Sequence, residues 1–285
     1  MLKRVVLALL VCCAAGSAAP RWMALIIDGQ NNHAWQETTP VLKRLLEETG
    51  LFTVEVATTP PKGGDMSAFQ PDFSRYQVVV SNYNGEPWSA PTQAAFDKFV
   101  REGGGFVSYH AADNAFPQWR AYNEMIAVGG WGNQQGSLIR FRDGKVVLDP
   151  TPGRAGHHGR RLPFQVVFRD PRHPIAAGLP TEWMHAADEC YDSLRGPCLR
   201  FTLVATAWSD PANSGTGENE PMLLTTRYGK GRVFHTTLGH DVPAMQCVGF
   251  IATFQRGAEW AASGKVTQKP PADFPAGDVR VRPLQ

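Results

Sequence analysis

Between residues 22 and 110 the chain alternates short apolar runs with amphipathic segments of helical period, and this alternation restricts the fold more than any other feature. Trp22 to Ile27 reads as a buried strand that ends in the polar loop Asp28-Gly-Gln-Asn-Asn-His33. Thr39 can cap a helix whose first position is Pro40, with Val41, Leu42, Leu45 and Leu46 on its apolar face and Gly50 as its stop. Phe52 to Thr58 alternates as a strand does, and Tyr76 to Ser81 contains Val78-Val79-Val80, a run suited to a strand covered on both faces. A second helix is expected from about Ser89 to Glu102, with Phe96, Phe99 and Val100 inward and Gly103 as its end. Gly105 to Tyr109 then forms a strand that leads straight into His110. Strands and helices in this order require right-handed crossovers and a parallel sheet, so the expected class is α/β.

The second half is patterned differently. Leu138 to Phe141 and Val146 to Leu148 flank Asp143-Gly144, and Pro221 to Thr226 and Arg232 to Thr237 flank a Tyr-Gly-Lys-Gly turn. Both are hairpin signals and predict antiparallel additions to the sheet. A helix from Val248 to Ala262 closes a single domain spanning residues 19 to 264, and residues 265 to 285 read as a proline-rich surface tail.

At the N-terminus, Lys3 and Arg4 precede an apolar run from Val5 to Ala15 and a small-residue stretch, the layout of a secretory signal cleaved after Ala18. The expectation is a periplasmic or secreted protein. With Lys3 and Arg4 gone, the 28 basic residues become 26, equal to the 26 acidic ones. A balanced surface without basic runs lacks the footprint of nucleic-acid binding, and no later stretch is apolar enough to cross a membrane. Cys12 and Cys13 leave with the leader. Cys190 and Cys198, separated by a loop with a Gly-Pro turn, are expected to bridge in an oxidising compartment and leave Cys247 free.

In open parallel sheets, ligands bind beyond the carboxyl ends of the strands. That rule gathers Asp28, Gln30, Asn31 and His33 after the first strand, Asn82, Tyr83, Asn84 and Glu86 after the Val78–Val80 strand, and His110 after the next. Amides, acids and the indoles of Trp35, Trp88 and Trp131 suit a carbohydrate, whose hydroxyls need paired hydrogen bonds and whose C–H faces need flat rings. The loop at Asp28 lacks the glycine spacing of a dinucleotide site, so NAD is not expected.

Four segments carry a family resemblance: Gly103-Gly-Gly-Phe-Val-Ser-Tyr-His110-Ala, Arg172-His-Pro-Ile-Ala-Ala-Gly-Leu-Pro180, Asp188-Glu-Cys-Tyr191, and Tyr228-Gly-Lys-Gly-Arg-Val-Phe-His-Thr-Thr-Leu-Gly-His240. In this order and spacing they resemble the ThuA-like, or trehalose-utilisation, family. The resemblance implies a flavodoxin-like sheet related to class I glutamine amidotransferases. It also implies carbohydrate catabolism alongside sugar dehydrogenases that make 3-keto sugars. Amidotransferases carry a catalytic cysteine on the strand-to-helix turn where this chain has His110, so thiol-based glutaminase chemistry is excluded there.

His110, His185 and His240 are candidate acid–base residues; the resemblance implies that Asp188 to Tyr191 sits beside the pocket, which adds Glu189 and Tyr191 as acid–base candidates and Asp188, with Trp131, as a binding group. His110, His185, Glu189 and His240 are also a donor set that zinc accepts, although no short ligand motif is present. Three readings stay open on this basis: a sugar-directed lyase, hydrolase or isomerase; a module that binds a carbohydrate or a dehydrogenase partner; and a metal-dependent hydrolase. His157 and His158 fall in a glycine-rich basic loop and are expected to be exposed without function, and His173 and His235 to be structural.

Overall fold

The computed structural model describes residues 21–275 and 277–283; the segment read as a leader, with Cys12 and Cys13, lies outside the described residues. The first half follows the expected alternation. Strand β1 (Trp22–Asp28), helix α1 (Trp35–Glu47), β2 (Phe52–Thr58), β3 (Val78–Ser81), α2 (Ala90–Glu102) and β4 (Gly105–Tyr109) build parallel pairs in the order β2-β1-β3-β4. Alternate side chains of each strand enter different cores. Ala24, Ile26, Val78, Val80 and Val107 meet Leu42, Leu45 and Leu46 of α1 on one face. Leu25, Ile27, Val79 and Phe106 meet Phe96 and Val100 of α2 on the other. Val78, Val79 and Val80 are fully buried, and each such side chain stabilises the fold by about 1.5–3 kcal/mol.

Helix α1 begins a turn earlier than Thr39 and Pro40 suggest, and Pro40 lies inside it. The Thr38 and Thr39 hydroxyls do not cap the helix; each lies 3.0 Å from the Asn82 side-chain amide and accepts from it, which ties α1 to the end of β3.

Beyond α3 (Arg120–Ile126), the hairpin of β5 (Ser137–Arg142) and β6 (Lys145–Asp149) does not extend the main sheet. It pairs with β9 (Arg195–Gly196) in a separate three-stranded sheet over a core of Val128, Ile139, Leu194 and Leu224. The antiparallel additions to the main sheet are β7 (Leu162–Phe168), β8 (Glu182–Asp188), β10 (Phe201–Trp208) and β11 (Asn219–Tyr228). Strand β12 (Gly231–Thr236) joins β11 by the expected hairpin and runs parallel to β4, completing a nine-stranded sheet. A short α4 (Val242–Met245) and α5 (Val248–Ser263) follow, and Phe250 and Phe254 of α5 enter the core that α1 covers.

Among the described residues the three cysteines, Cys190, Cys198 and Cys247, are unpaired. Cys190 packs against the main-sheet core, whereas Cys198 faces the Ser137 and Gly196 carbonyls of the small sheet, so the expected bridge would have to join two packing layers. Among the described residues no helix is long and apolar enough to cross a membrane.

Candidate functional site

The carboxyl ends of β1, β3, β4 and β12 open on one edge of the sheet, where a cavity of about 520 Å³ is lined by Asn32, His33, Asn84, Asn114, Trp131, His158, Glu189, Tyr191 and His240. A second cavity, of about 510 Å³, lies at the opposite end of the strands around Phe73 and Phe99 and holds no histidine.

His110 does not line the first cavity; it is buried directly beneath it, against the lining residues His33, Glu189 and Tyr191. It leaves β4 with a φ of +45°, a left-handed backbone that strains any residue with a β-carbon and turns the ring toward the strand ends. Its Nδ1 lies 2.7 Å from the Thr237 carbonyl oxygen and its Nε2 lies 3.0 Å from the Tyr191 hydroxyl. His33 stands at right angles to His110 with ring centroids 4.8 Å apart, and to His240 at 4.7 Å. Glu189 lies among these rings. Its Oε2 is 3.0 Å from His240 Nδ1, 3.6 Å from His110 Nε2 and 3.9 Å from His33 Nε2, while Oε1 is 3.5 Å from His158 Nε2.

Burial opposes the Glu189 charge, but the imidazoles of His110, His240 and His33 hold its pKa far below the usual carboxylate range. Burial likewise opposes a charge on His110, yet Glu189, Asp188 and the Thr237 carbonyl together raise its pKa. Burial lowers that of His33. Tyr191 is pushed well upward by burial and keeps its proton.

Asp188 and His185 stand behind the pocket, both completely buried, and do not reach it. Asp188 accepts the backbone N–H groups of Glu189 (2.7 Å), Gly239 (2.7 Å) and His240 (3.1 Å), so one carboxylate fixes two pocket residues delivered by different strands. His185 Nε2 pairs with it at 2.8 Å. Gly239 takes φ +101°, and a β-carbon there would lie 2.7 Å from Phe250 and 2.8 Å from Tyr109, so glycine is required at the turn that delivers His240.

The other expected residues divide in the same way. Asn84 and Trp131 line the cavity. Asn31 and Asn82 lie beneath it as a hydrogen-bonded pair at 3.1 Å, and Asn31 orients His33. Gln30 lines a neighbouring cavity. Asp28 is buried and bonded to Thr58, and Tyr83 is buried among Trp88 and Phe116 with its hydroxyl on the Glu86 carbonyl. His235 is buried in β12, and His173 accepts the Ile175 N–H within its turn, both structural positions.

Asn32, Asn114 and His158 are pocket residues that the sequence reading did not select. Asn114, four residues beyond His110, was within reach of the strand-end rule. His158 was not, because its loop has no regular period; the structure fixes it through the neighbouring His157, paired with buried Asp192 at 2.9 Å.

Fold and pocket define a flavodoxin-like, glutamine amidotransferase-like α/β protein in which imidazoles and a carboxylate stand at the strand ends. The family model for ThuA, trehalose utilisation, matches residues 23–261, and the chain belongs to the ThuA family. A crystal structure of a ThuA-like protein from Parabacteroides merdae is 46% identical, with a TM-score of 0.90 over 92% of this chain and 98% of that one. Another, from Bacteroides uniformis, shares 17% identity and a TM-score of 0.59 over 88% of this chain and 95% of that one, a likeness of fold alone. No curated protein matches. Family membership gives the chain a carbohydrate-related role.

Proposed function

We propose that the pocket is catalytic and acts on a glycoside or a 3-keto sugar derivative by proton transfer beside a polarised oxygen. The observation that carries this reading is the gathering of Glu189, His33, His110 and His240 at one end of an open cavity whose other wall presents Tyr191, His158 and Trp131. A site that only bound sugar would need amides and aromatic rings, not five titratable groups around one carboxylate. Trp131 offers a ring face, and the amides of Asn32, Asn84 and Asn114 offer partners for hydroxyls. Tyr191, protonated, donates to a substrate oxygen as negative charge develops there. His158 Nδ1 lies 2.8 Å from the Gly159 carbonyl oxygen, so the neutral ring keeps its proton on Nδ1 and turns an accepting Nε2 toward the cavity. It is the group suited to take up and return a proton.

The test is incubation of the purified protein with a panel of glycosides and their 3-keto derivatives. Turnover of at least one is expected, with His158→Ala and Tyr191→Phe each lowering kcat by about 100-fold or more. Absence of turnover together with saturable sugar binding would return the protein to the binding-module reading. A sugar dehydrogenase is the enzyme class that would supply a keto substrate. Export belongs to the same proposal: protein recovered from periplasm or medium should begin at or within a few residues of Ala19, and an intact Met1 there overturns it.

A further inference from the structure

Two of the rings around Glu189 face it with an atom that cannot donate. His110 Nδ1 lies 2.7 Å from the Thr237 carbonyl oxygen, which only accepts, so in the neutral ring the proton sits on Nδ1 and Nε2 presents a lone pair. His33 is fixed in the same sense. Its Nδ1 lies 3.1 Å from Asn31 Oδ1, which also accepts the His33 backbone N–H, while the Asn31 amide nitrogen donates to Asn82. The His33 Nε2 lone pair therefore faces Glu189 Oε2 at 3.9 Å; that of His110 lies 3.6 Å from the same oxygen and accepts the Tyr191 hydroxyl at 3.0 Å, a bond that a metal ion would replace. His240 Nδ1 is 3.0 Å from the same oxygen, yet the two are misaligned, and both stay buried without a hydrogen-bond partner among the described residues. Lone pairs converging on a buried carboxylate oxygen repel unless positive charge stands between them.

We propose that His33 Nε2, His110 Nε2, His240 Nδ1 and Glu189 Oε2 bind one divalent transition-metal ion of the zinc class. The inference deepens the carbohydrate reading, on which the ion's role as the polarising group rests. One donor atom from each residue can be chosen so that all lie within 4.8 Å of one another. Atoms bonded tetrahedrally to one zinc at about 2.0–2.2 Å lie roughly 3.3–3.6 Å apart, so the widest pair must close by more than about 1 Å, within the reach of side-chain rotation. Three nitrogens and one oxygen favour zinc and its neighbours over magnesium or calcium, which take oxygen donors. The Thr237 carbonyl and Asn31 hold the second nitrogen of their rings, as outer partners of ligating histidines do. The cavity opens on this cluster toward Trp131 and His158, so a substrate oxygen would have to join the four donors as a fifth ligand or take the place of one.

The full chain, purified without chelator, should carry about one equivalent of metal by mass spectrometry. Stripped protein, with its fold checked by circular dichroism, should rebind zinc chloride in a saturable calorimetric titration. Asn31→Leu should weaken binding by about 10- to 100-fold, and Glu189→Gln or His33→Ala by more. Folded, stripped wild-type protein with no saturable zinc binding overturns the site, as do Glu189→Gln and His33→Ala variants that bind zinc as the wild type does. The same stripped sample, given the sugar panel, separates the two proposals. Undiminished turnover without zinc binding removes the ion and keeps the carbohydrate reading; stoichiometric zinc with no response to any sugar removes the carbohydrate reading and keeps the ion.

Discussion

His33 reaches the pocket, and His110 lies beneath it, from the all-parallel first half of the chain, whereas Glu189, Tyr191, His240 and His158 reach it from the second half, where β12 alone runs parallel to a neighbour and the other added strands are antiparallel. In the parallel half, position follows from topology: β1, β3 and β4 are neighbours, they point the same way, and whatever follows each strand emerges on one edge. In the other half the strands run both ways, and the pocket residues lie on irregular segments. Buried carboxylates position them instead. Asp188 gathers the backbone of Glu189, Gly239 and His240, and Asp192 holds the His158 loop through the His157 ring and a pair of backbone hydrogen bonds at 3.0 and 2.7 Å. A packed sheet keeps its strand ends aligned when one methyl group is lost, but a loop held by one carboxylate and a few backbone hydrogen bonds has much less to fall back on.

The sharpest way to break that comparison is Asp188→Ala. It leaves His185 buried opposite no charge and frees three backbone N–H groups, a loss of about 3–5 kcal/mol in denaturant unfolding. Ligand binding should disappear along with it, because Glu189 and His240 lose their common anchor. A variant that is destabilised to this degree but binds sugar as the wild type does would show that the loops are positioned by something else.

Val79→Ala probes the other half. Val79 is fully buried between Leu25, Phe106 and the α2 side chains, and its truncation should cost about 1.5–3 kcal/mol by the same measurement. Binding and turnover should stay within about twofold of wild type, since a loss of 1.4 kcal/mol at the site itself would already be tenfold. Loss of binding in the folded variant would mean that the strand ends depend on local packing and not on sheet topology.

The same division explains what could be read from the sequence. Trp22–Asp28, Val78–Ser81 and Gly105–Tyr109 declare themselves because side chains buried on both faces must be apolar, and the strand-end rule then delivers His33, Asn84 and His110. Strand β8 carries Glu182, His185 and Asp188 and shows no such run; its polar residues are satisfied by partners far away in sequence, such as the N–H groups of Gly239 and His240. Asp188 and His185 were therefore expected in the pocket, when their burial makes them its support. The β5–β6 hairpin was correctly legible as a hairpin, but local turn chemistry carries no information about which sheet it joins.

The smallest expected effect sharpens the comparison through pH, and it isolates the support from the pocket. Burial opposes a charge on His185, but Cys247 and Asp188 beside it raise its pKa from 6.5 to about 10. An imidazole with a higher pKa folded than unfolded takes up a proton on folding, so its contribution to stability is complete below about pH 6.5 and drains as pH rises toward 10. Asp188 acts at the other end. Its pKa is depressed despite burial, chiefly by His185, so its contribution holds above about pH 3.8 and is lost as acid protonates it. Chemical denaturation across this range should show stability falling on the alkaline side, and His185→Gln, which keeps a donor for Asp188 but has no proton to lose, should flatten that fall. Since Cys247 is the largest cause of the rise in the His185 pKa and its own pKa is lowered by the same imidazole, the comparison is made with Cys247 in place and repeated with Cys247→Ser in both proteins, where the alkaline fall and its flattening should both be smaller. Equal alkaline slopes in the two proteins would mean that His185 is neutral in the folded state, and that Asp188 holds the two pocket loops through their backbone N–H groups alone.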